Sequence, residues 1–345
     1  MSNSKFVISL DFEMFWGVCD KQTIDAYGLN VLGGGEAIRR MLALFSRRGV
    51  RVTWATVGML MCRDYQHWRA IRPTLLPGYL RAGVSPYCLD SLVKENARLF
   101  FGRPLVEQIL ATQGQELATH TFSHFYCNEA GATPAQFAAD LACANAIAAD
   151  MGATVRSIVL PRNQIVEEFL SVLPAAGIEV YRGNAHHWLY RNGDAVIGGL
   201  AGRLARFSDA CIPLSGDRTE RERHEAGLVN VPASLFLYPW SGRQRALSAL
   251  RLRRVKQSMT TAARTGGVFH LWWHPHNFGV DVDENLALLE EVLRHYAVLA
   301  DRYGMRSHCM GDFAESADPA FRTNTQMPFP APAAALTHST QRIRS

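Results

Sequence analysis

The chain has 345 residues, 48% hydrophobic and 19% charged, a composition that fits a globular protein with a large core and excludes a disordered or fibrous one. A net charge of +5 is too weak to argue for nucleic acid, and seven irregularly spaced cysteines without a C-x-x-C argue for reduced thiols over a disulfide framework. The opening "MSNSKFVISLDFE" lacks a basic, apolar signal region, and no run reaches the ~18–20 apolar residues of a membrane span. A cytoplasmic protein without a transmembrane segment is expected.

Strand-like and helix-like patterns alternate. "KFVISL" (5–10) reads as a core strand, "GEAIRRMLALFSRRG" (35–49) as a helix closed by Gly49, and "VRVTWATV" (50–57) as a β-branched strand. Residues 60–103 are irregular, with Pro73, Pro77 and Pro86. A helix (104–114), the short strand "ELAT" (116–119) and a long helix capped by Thr133 (133–152) follow. Next come a strand (155–160), a mostly helical stretch (164–177) and a strand (178–183). Beyond an irregular polar region (184–227), the pattern gives a strand (228–234), a basic helix (243–265), the apolar strand "GVFHLWWH" (267–274), an amphipathic helix (282–304) and a last strand (305–310). From about 317 the chain turns polar and proline-rich, the composition of a disordered tail (317–345) behind one domain (1–316). The alternation predicts a parallel sheet wrapped by helices, either open or closed into a barrel.

In such folds reactive groups collect at the carboxyl ends of strands. Four ends qualify: Asp11 and Glu13; His120 and His124; Arg162 and Asn163; His274 and His276. Two acids two apart in a strand share a face, and among Leu10, Phe12 and Met14 they are costly if buried unpaired. They read as a structural pair or as a metal ligand plus a general base. His120 and His124 can share an ion if they sit on a turn of helix. His270 and His274 have the same spacing, but in a strand it spans roughly 13 Å, so His270 reads as a core histidine. His274 at its strand end suits an acid or base, with His276 a rim residue. Trp16, Trp272 and Trp273 read either as flat faces for a sugar ring or as core filling. The six Lys and Arg of "RQRALSALRLRRVKQ" (243–257) read as a solvated face, with docking on anionic lipid or a diphosphate as the sharper alternative.

Together "ISLDFE", "TWATVG", "GQELATHTFSH" and "VFHLWWHP" resemble, in order and spacing, the polysaccharide deacetylases of carbohydrate esterase family 4, over roughly residues 5–312. The resemblance implies a distorted (β/α) barrel of about seven parallel strands with inserted loops. It implies a metal-dependent deacetylase of an N-acetylated saccharide or its precursor. Glu13, His120 and His124 would hold a divalent metal, zinc by default, with Asp11 as base and His274 as acid. Arg162 would partner the base, and Trp16, Asn163, Trp272 and His276 would contact substrate. The chain departs from the family in placing Phe12 between its acids, in setting Arg162 after Pro161, and in lacking an Asp-Trp motif near "YRGNAHHW". These departures leave room for a cyclic amide or ureide hydrolase, allantoinase- or imidase-like, of the same superfamily. A non-catalytic carbohydrate-binding relative is the third reading. A lipid-linked or nucleotide-linked precursor would suit a cytoplasmic enzyme.

Overall fold

A computed structural model describes residues 4–187, 205, 208–212, 214–225 and 227–315. The strands are β1 (Lys5–Phe12), β2 (Val52–Thr56), β3 (Gln115–Thr119), β4 (Ser157–Ile158), β5 (Val180–Tyr181), β6 (Arg223–Glu225), β7 (Leu228–Asn230), β8 (Leu235–Phe236), β9 (Val268–Trp273) and β10 (Arg306–His308). They form one sheet in the order β6-β7-β5-β4-β3-β2-β1-β9-β8, parallel except for the β6–β7 hairpin. β10 fills a wedge beside Lys5–Val7 of β1, while β2 pairs with Ser9–Phe12.

The segment from β7 through β8 curls the sheet back on itself. Val229 and Val231 donate backbone N–H bonds to Glu179 and Tyr181 beside β5, and Ser234 and Leu237 donate to His270 and Trp272 of β9. One bent segment thus bonds to both ends of the row β5-β4-β3-β2-β1-β9. With it the staves number about seven, and the sheet is a distorted (β/α) barrel, as expected.

Both faces of β1 are buried, so its sequence reads as a nearly continuous apolar run. Phe6, Ile8, Leu10 and Phe12 pack under the helices, while Val7 joins Ala55, Ala118, Val159, Val180 and Val229 inside the barrel. The interior residues are small, as a narrow barrel requires. Asp11 and Glu13 continue the inward set and emerge at the carboxyl end.

The longer helices are α1 (Ile24–Arg48), α2 (Arg103–Ala111), α3 (Pro134–Asp150), α4 (Arg245–Thr265) and α5 (Val282–Tyr303). α1 starts eleven residues before the expected position 35, capped by the Thr23 side chain, and carries Gly33, Gly34 and Gly35 in its middle. Glycine normally weakens a helix interior. Here a Cβ on Gly33 would land on the Gly279 carbonyl, and one on Gly34 would come 3.2 Å from the His276 Cα. The helix gives up propensity to lie against the chain that follows β9. The expected helix at 164–177 is mostly absent: only Glu167–Leu170 is α-helical, and Pro174, which has no N–H to donate, opens a 3-10 turn. All seven cysteines are free. Among the described residues no helix is long and apolar enough to cross a membrane. The expected tail, 317–345, lies outside the described residues.

Candidate active site and metal centre

Glu13 sits just past β1 and is 4% exposed. Its Oε1 lies 3.0 Å from His120 Nε2 and 3.2 Å from His124 Nε2. The other ring nitrogen of His120, Nδ1, is 2.7 Å from the Val159 carbonyl, which can only accept, so Nδ1 carries a proton. A neutral His120 therefore aims the Nε2 lone pair at a carboxylate oxygen. That arrangement is repulsive unless a proton or a cation lies between. Two buried imidazolium rings with centroids 5.0 Å apart would repel each other. One shared cation resolves both conflicts. Ligand atoms about 2.0–2.2 Å from a tetrahedral ion stand roughly 3.3–3.6 Å apart, close to the spacing seen here. The residues present fit a divalent metal, and the Val159 contact is the usual outer partner that orients a ligating histidine.

Burial works to raise the Glu13 pKa, but the imidazoles around it, His274 and His124 foremost, hold it well below the ordinary value. Burial lowers the His124 pKa, keeping the ring neutral as a ligand must be. His274 behaves oppositely. Burial disfavours its charge, but Glu13, 3.5 Å from Nε2, and Asp11, 3.8 Å away, raise its pKa overall.

The segment carrying the two histidines is not the turn of helix expected from their spacing. It is an irregular loop with Thr121 at φ 64° and His124 at φ 56°, both left-handed. Asp140 of α3 holds it in that shape, accepting hydrogen bonds from the backbone N–H groups of Phe122 (2.6 Å) and Ser123 (3.1 Å) and from the Ser123 hydroxyl. Thr121 Oγ1 accepts from Phe125 N at 2.7 Å. Met14, Arg162 and Asn163, at two other strand ends of the same rim, are also left-handed, with φ between 51° and 56°.

Asp11 is gripped by Arg182, not by Arg162. Arg182 Nη1 and Nη2 reach Asp11 Oδ1 and Oδ2 at 2.7 and 2.8 Å, a bidentate pair with both residues almost wholly buried. Burial tends to raise the Asp11 pKa, but Arg182, then His120 and His274, bring it below the ordinary carboxylate value. Arg162, left-handed at φ 56°, instead bonds Asp20 and the Tyr126 hydroxyl and lies over the Tyr126 ring. The expected partner of the base is thus corrected to Arg182, at the end of β5. Asn163 Oδ1 accepts from Arg182 Nη2 at 2.8 Å. Ser9 Oγ accepts from Arg182 Nη1 at 2.9 Å and lies 2.8 Å from His270 Nε2. His270, whose pKa burial pushes down to about 3, is the core histidine expected, and it braces this network from below.

A cavity of about 670 Å³ opens over these groups, lined by Asp11, Glu13, His124, Arg162, Asn163, His274 and His276. Trp272 also lines it, with Phe236, Leu237 and Tyr238 beside it. Trp16 does not. It is 1% exposed, packs against Phe100 and Trp68, and donates its indole N–H to the Phe100 carbonyl, so the expected sugar contact gives way to core packing. Trp273 likewise points outward into the core. His276 is 5% exposed and stacks on His274, with a pKa that burial and the His274 charge push down to about 3. The basic helix is solvated at Arg245 and Arg253, but Arg251 and Arg254 are buried and line the cavity. That part of the solvated-face expectation is corrected.

No family model matches the chain, and no curated protein matches its sequence. Its fold does match solved structures. A Mycobacterium smegmatis protein assigned as a polysaccharide deacetylase superposes with TM-score 0.58 at 13% identity, over 97% of this chain and 96% of that one. A 4-alpha-glucanotransferase from Thermococcus litoralis gives 0.51 at 11% identity, over 92% of this chain and 41% of that one. A GH57-type branching enzyme from Pyrococcus horikoshii gives 0.51 at 13% identity, over 91% and 70%. The chain therefore has the barrel fold of these three proteins.

Proposed function

We propose that the protein is a metal-dependent hydrolase that removes the acetyl group from an N-acetylated saccharide or its precursor. The observation that carries this reading is the pair of imidazole Nε2 atoms aimed at one Glu13 oxygen, with His120 Nδ1 committed to a carbonyl. Glu13, His120 and His124 would hold a divalent cation, zinc by default for two imidazoles and a carboxylate. When bound, such an ion supplies a more acidic water and a Lewis acid for the acetamide oxygen.

The other groups take the remaining roles. Arg182 keeps Asp11 ionised and fixed in orientation, so Asp11 can accept the proton of the attacking water. His274 holds a proton and donates it to the departing amine, which leaves poorly as an anion. Asn163 fixes Arg182, and the half-buried Trp272, whose ring lies against the Arg182 guanidinium, forms a cavity wall beside the sugar. Retaining glycoside chemistry needs one carboxyl group kept protonated. Asp11 and Glu13 are both held toward the ionised form. The cavity volume suits a small cyclic amide as well as a sugar, so a cyclic amide or ureide hydrolase is the second reading.

Acetate release from a panel of acetamido sugars, run beside ring-opening of cyclic imides, decides between the two. Ring-opening without acetate release would replace the first reading by the second. Loss of neither product in Asp11→Asn and His274→Gln would reject both. A cytoplasmic, lipid-linked precursor belongs to the same proposal. Liposome sedimentation tests the exposed Arg243, Arg245 and Arg253, and equal binding to neutral and anionic vesicles would reject it.

A further inference from the structure

The barrel interior is lined by small apolar side chains such as Val7, Ala55, Ala118 and Val180, yet the layer beneath Asp11 is polar. Ser9, between Val7 and Asp11 on the inward face of β1, is wholly buried, as is His270 of β9, and Arg182 is 1% exposed. Buried polar groups are costly unless each finds a partner, and here the partners can be followed atom by atom. A guanidinium has five N–H donors, and all five of Arg182 are used: two on Asp11, two on Asn163 Oδ1 and one, from Nη1, on Ser9 Oγ at 2.9 Å. Ser9 can accept that bond only while its own proton points elsewhere. The acceptor beside it is His270 Nε2, at 2.8 Å. Across the same ring, Nδ1 lies 3.1 Å from the Val231 carbonyl, which can only accept, so Nδ1 carries the proton. Burial, and then the Arg182 charge, keep the ring neutral, so Nε2 is a bare lone pair. Ser234 Oγ pins the His270 backbone by accepting from its N–H at 2.9 Å. The proton order therefore runs one way: His270 donates to Val231, Ser9 to His270, and Arg182 to Ser9 and Asp11.

We infer that His270 is a positioning residue for Asp11, acting through Ser9 and Arg182. By taking the Ser9 proton it leaves a Ser9 lone pair for the fifth Arg182 hydrogen, and the guanidinium fork then holds the Asp11 carboxylate in one plane at the mouth of the barrel. A ring with its proton on Nε2 would turn the Ser9 proton toward Arg182 and set two donors against each other. The role of Asp11 as base rests on the hydrolase reading; the proton order beneath it does not.

The full chain allows one test without turnover and one with it. Nitrogen-15 NMR of the histidine rings, with His270 assigned by its loss in His270→Gln, should show Nδ1 protonated and Nε2 bare at neutral pH. An Nε2–H tautomer or an imidazolium would overturn the inference. Product formation is followed with whichever acetamido sugar or cyclic imide wild type turns over fastest. His270→Leu and Ser9→Ala should each lower kcat about tenfold with KM held within about twofold, the scale of one charge-assisted hydrogen bond lost beneath the base. The two losses should not multiply: adding His270→Leu to Ser9→Ala should cost less than about twofold more, because both break one chain. His270→Gln, whose amide oxygen can take the Ser9 proton, should restore most of the rate. If His270→Leu fails a thermal-melting check of its fold, His270→Asn decides, since its shorter amide keeps the Val231 bond and falls short of Ser9. Losses that multiply, or a wild-type kcat in a variant that cannot accept from Ser9, would overturn the positioning role. No product from wild type with any compound would sink the hydrolase reading alone, and the NMR result would then decide the proton order.

Discussion

Replacing Arg182 by leucine removes the only guanidinium on the Asp11 carboxylate among the described residues and leaves a buried charge. Five hydrogen bonds of 2.7–3.3 Å disappear: two to Asp11, one to Ser9 and two to Asn163. Removing one partner of a buried pair costs about 3–5 kcal/mol, much of it the stranded charge. At roughly 2–4 °C per kcal/mol the melting temperature should fall by about 10 °C. The cost depends on pH. Asp11 has a depressed folded pKa, so the pair stabilises the fold above the unfolded value near 3.8, and that stability is lost as pH falls through the lower folded value. Urea unfolding of wild type and Arg182→Leu should therefore differ most at neutral pH and converge in acid. The double variant Asp11→Leu/Arg182→Leu should regain most of the stability while activity stays absent. A single-variant cost under about 1 kcal/mol, or no recovery in the double variant, would refute the reasoning, because Asp11 could then not be a buried, arginine-held carboxylate.

Three further outcomes follow from the geometry. Purified wild type should carry about one equivalent of divalent metal by elemental analysis, as expected for three ligands with an open position, and Glu13→Gln or His124→Ala should each lose it; metal retained in both would remove Glu13 and His124 from the ligand set. Asp140, whose pKa burial pushes up to about 7, should contribute stability that is full below its unfolded value near 3.8 and is lost as pH rises through 7. Denaturant midpoints should therefore fall more steeply for wild type than for Asp140→Asn between about pH 4 and 7, and run parallel above it. Gly33→Ala should cost about 1–3 kcal/mol by overpacking against Gly279 and should lower activity through the adjoining His274 and His276. Thermal melting and acetate release read this directly, and a neutral substitution would mean α1 can shift freely.

The alternation of strands and helices was legible because the central strands β1 and β2 are buried on both faces and the long helices on one. The strand-end rule found Asp11, Glu13, His120, His124, Asn163 and His274, which the fold brings to one cavity. Arg182, in "IEVYRG", was not legible as the Asp11 partner, because an arginine within a strand pattern does not reveal which distant carboxylate it meets. Trp16 was ambiguous in the sequence, since an indole fills a core or faces a sugar equally well. The start of α1 was hidden because two of its three glycines, Gly33 and Gly34, answer to a loop some 250 residues away, a contact no local pattern records. The buried pair on α4 escaped for a related reason. Six cations in one helix look solvated until the partner surface of each is known.

The left-handed residues around the rim, Met14, Thr121, His124, Arg162 and Asn163, have a consequence for how the molecule fails. Each holds a conformation costing on the order of 1–3 kcal/mol, least for asparagine, and none of that cost is borne by the staves below. The rim that carries the candidate site is thus the strained layer on a sturdier scaffold. Gentle heating or dilute denaturant should abolish the proposed activity while the barrel still stands, so that inactivation and unfolding become two separate events.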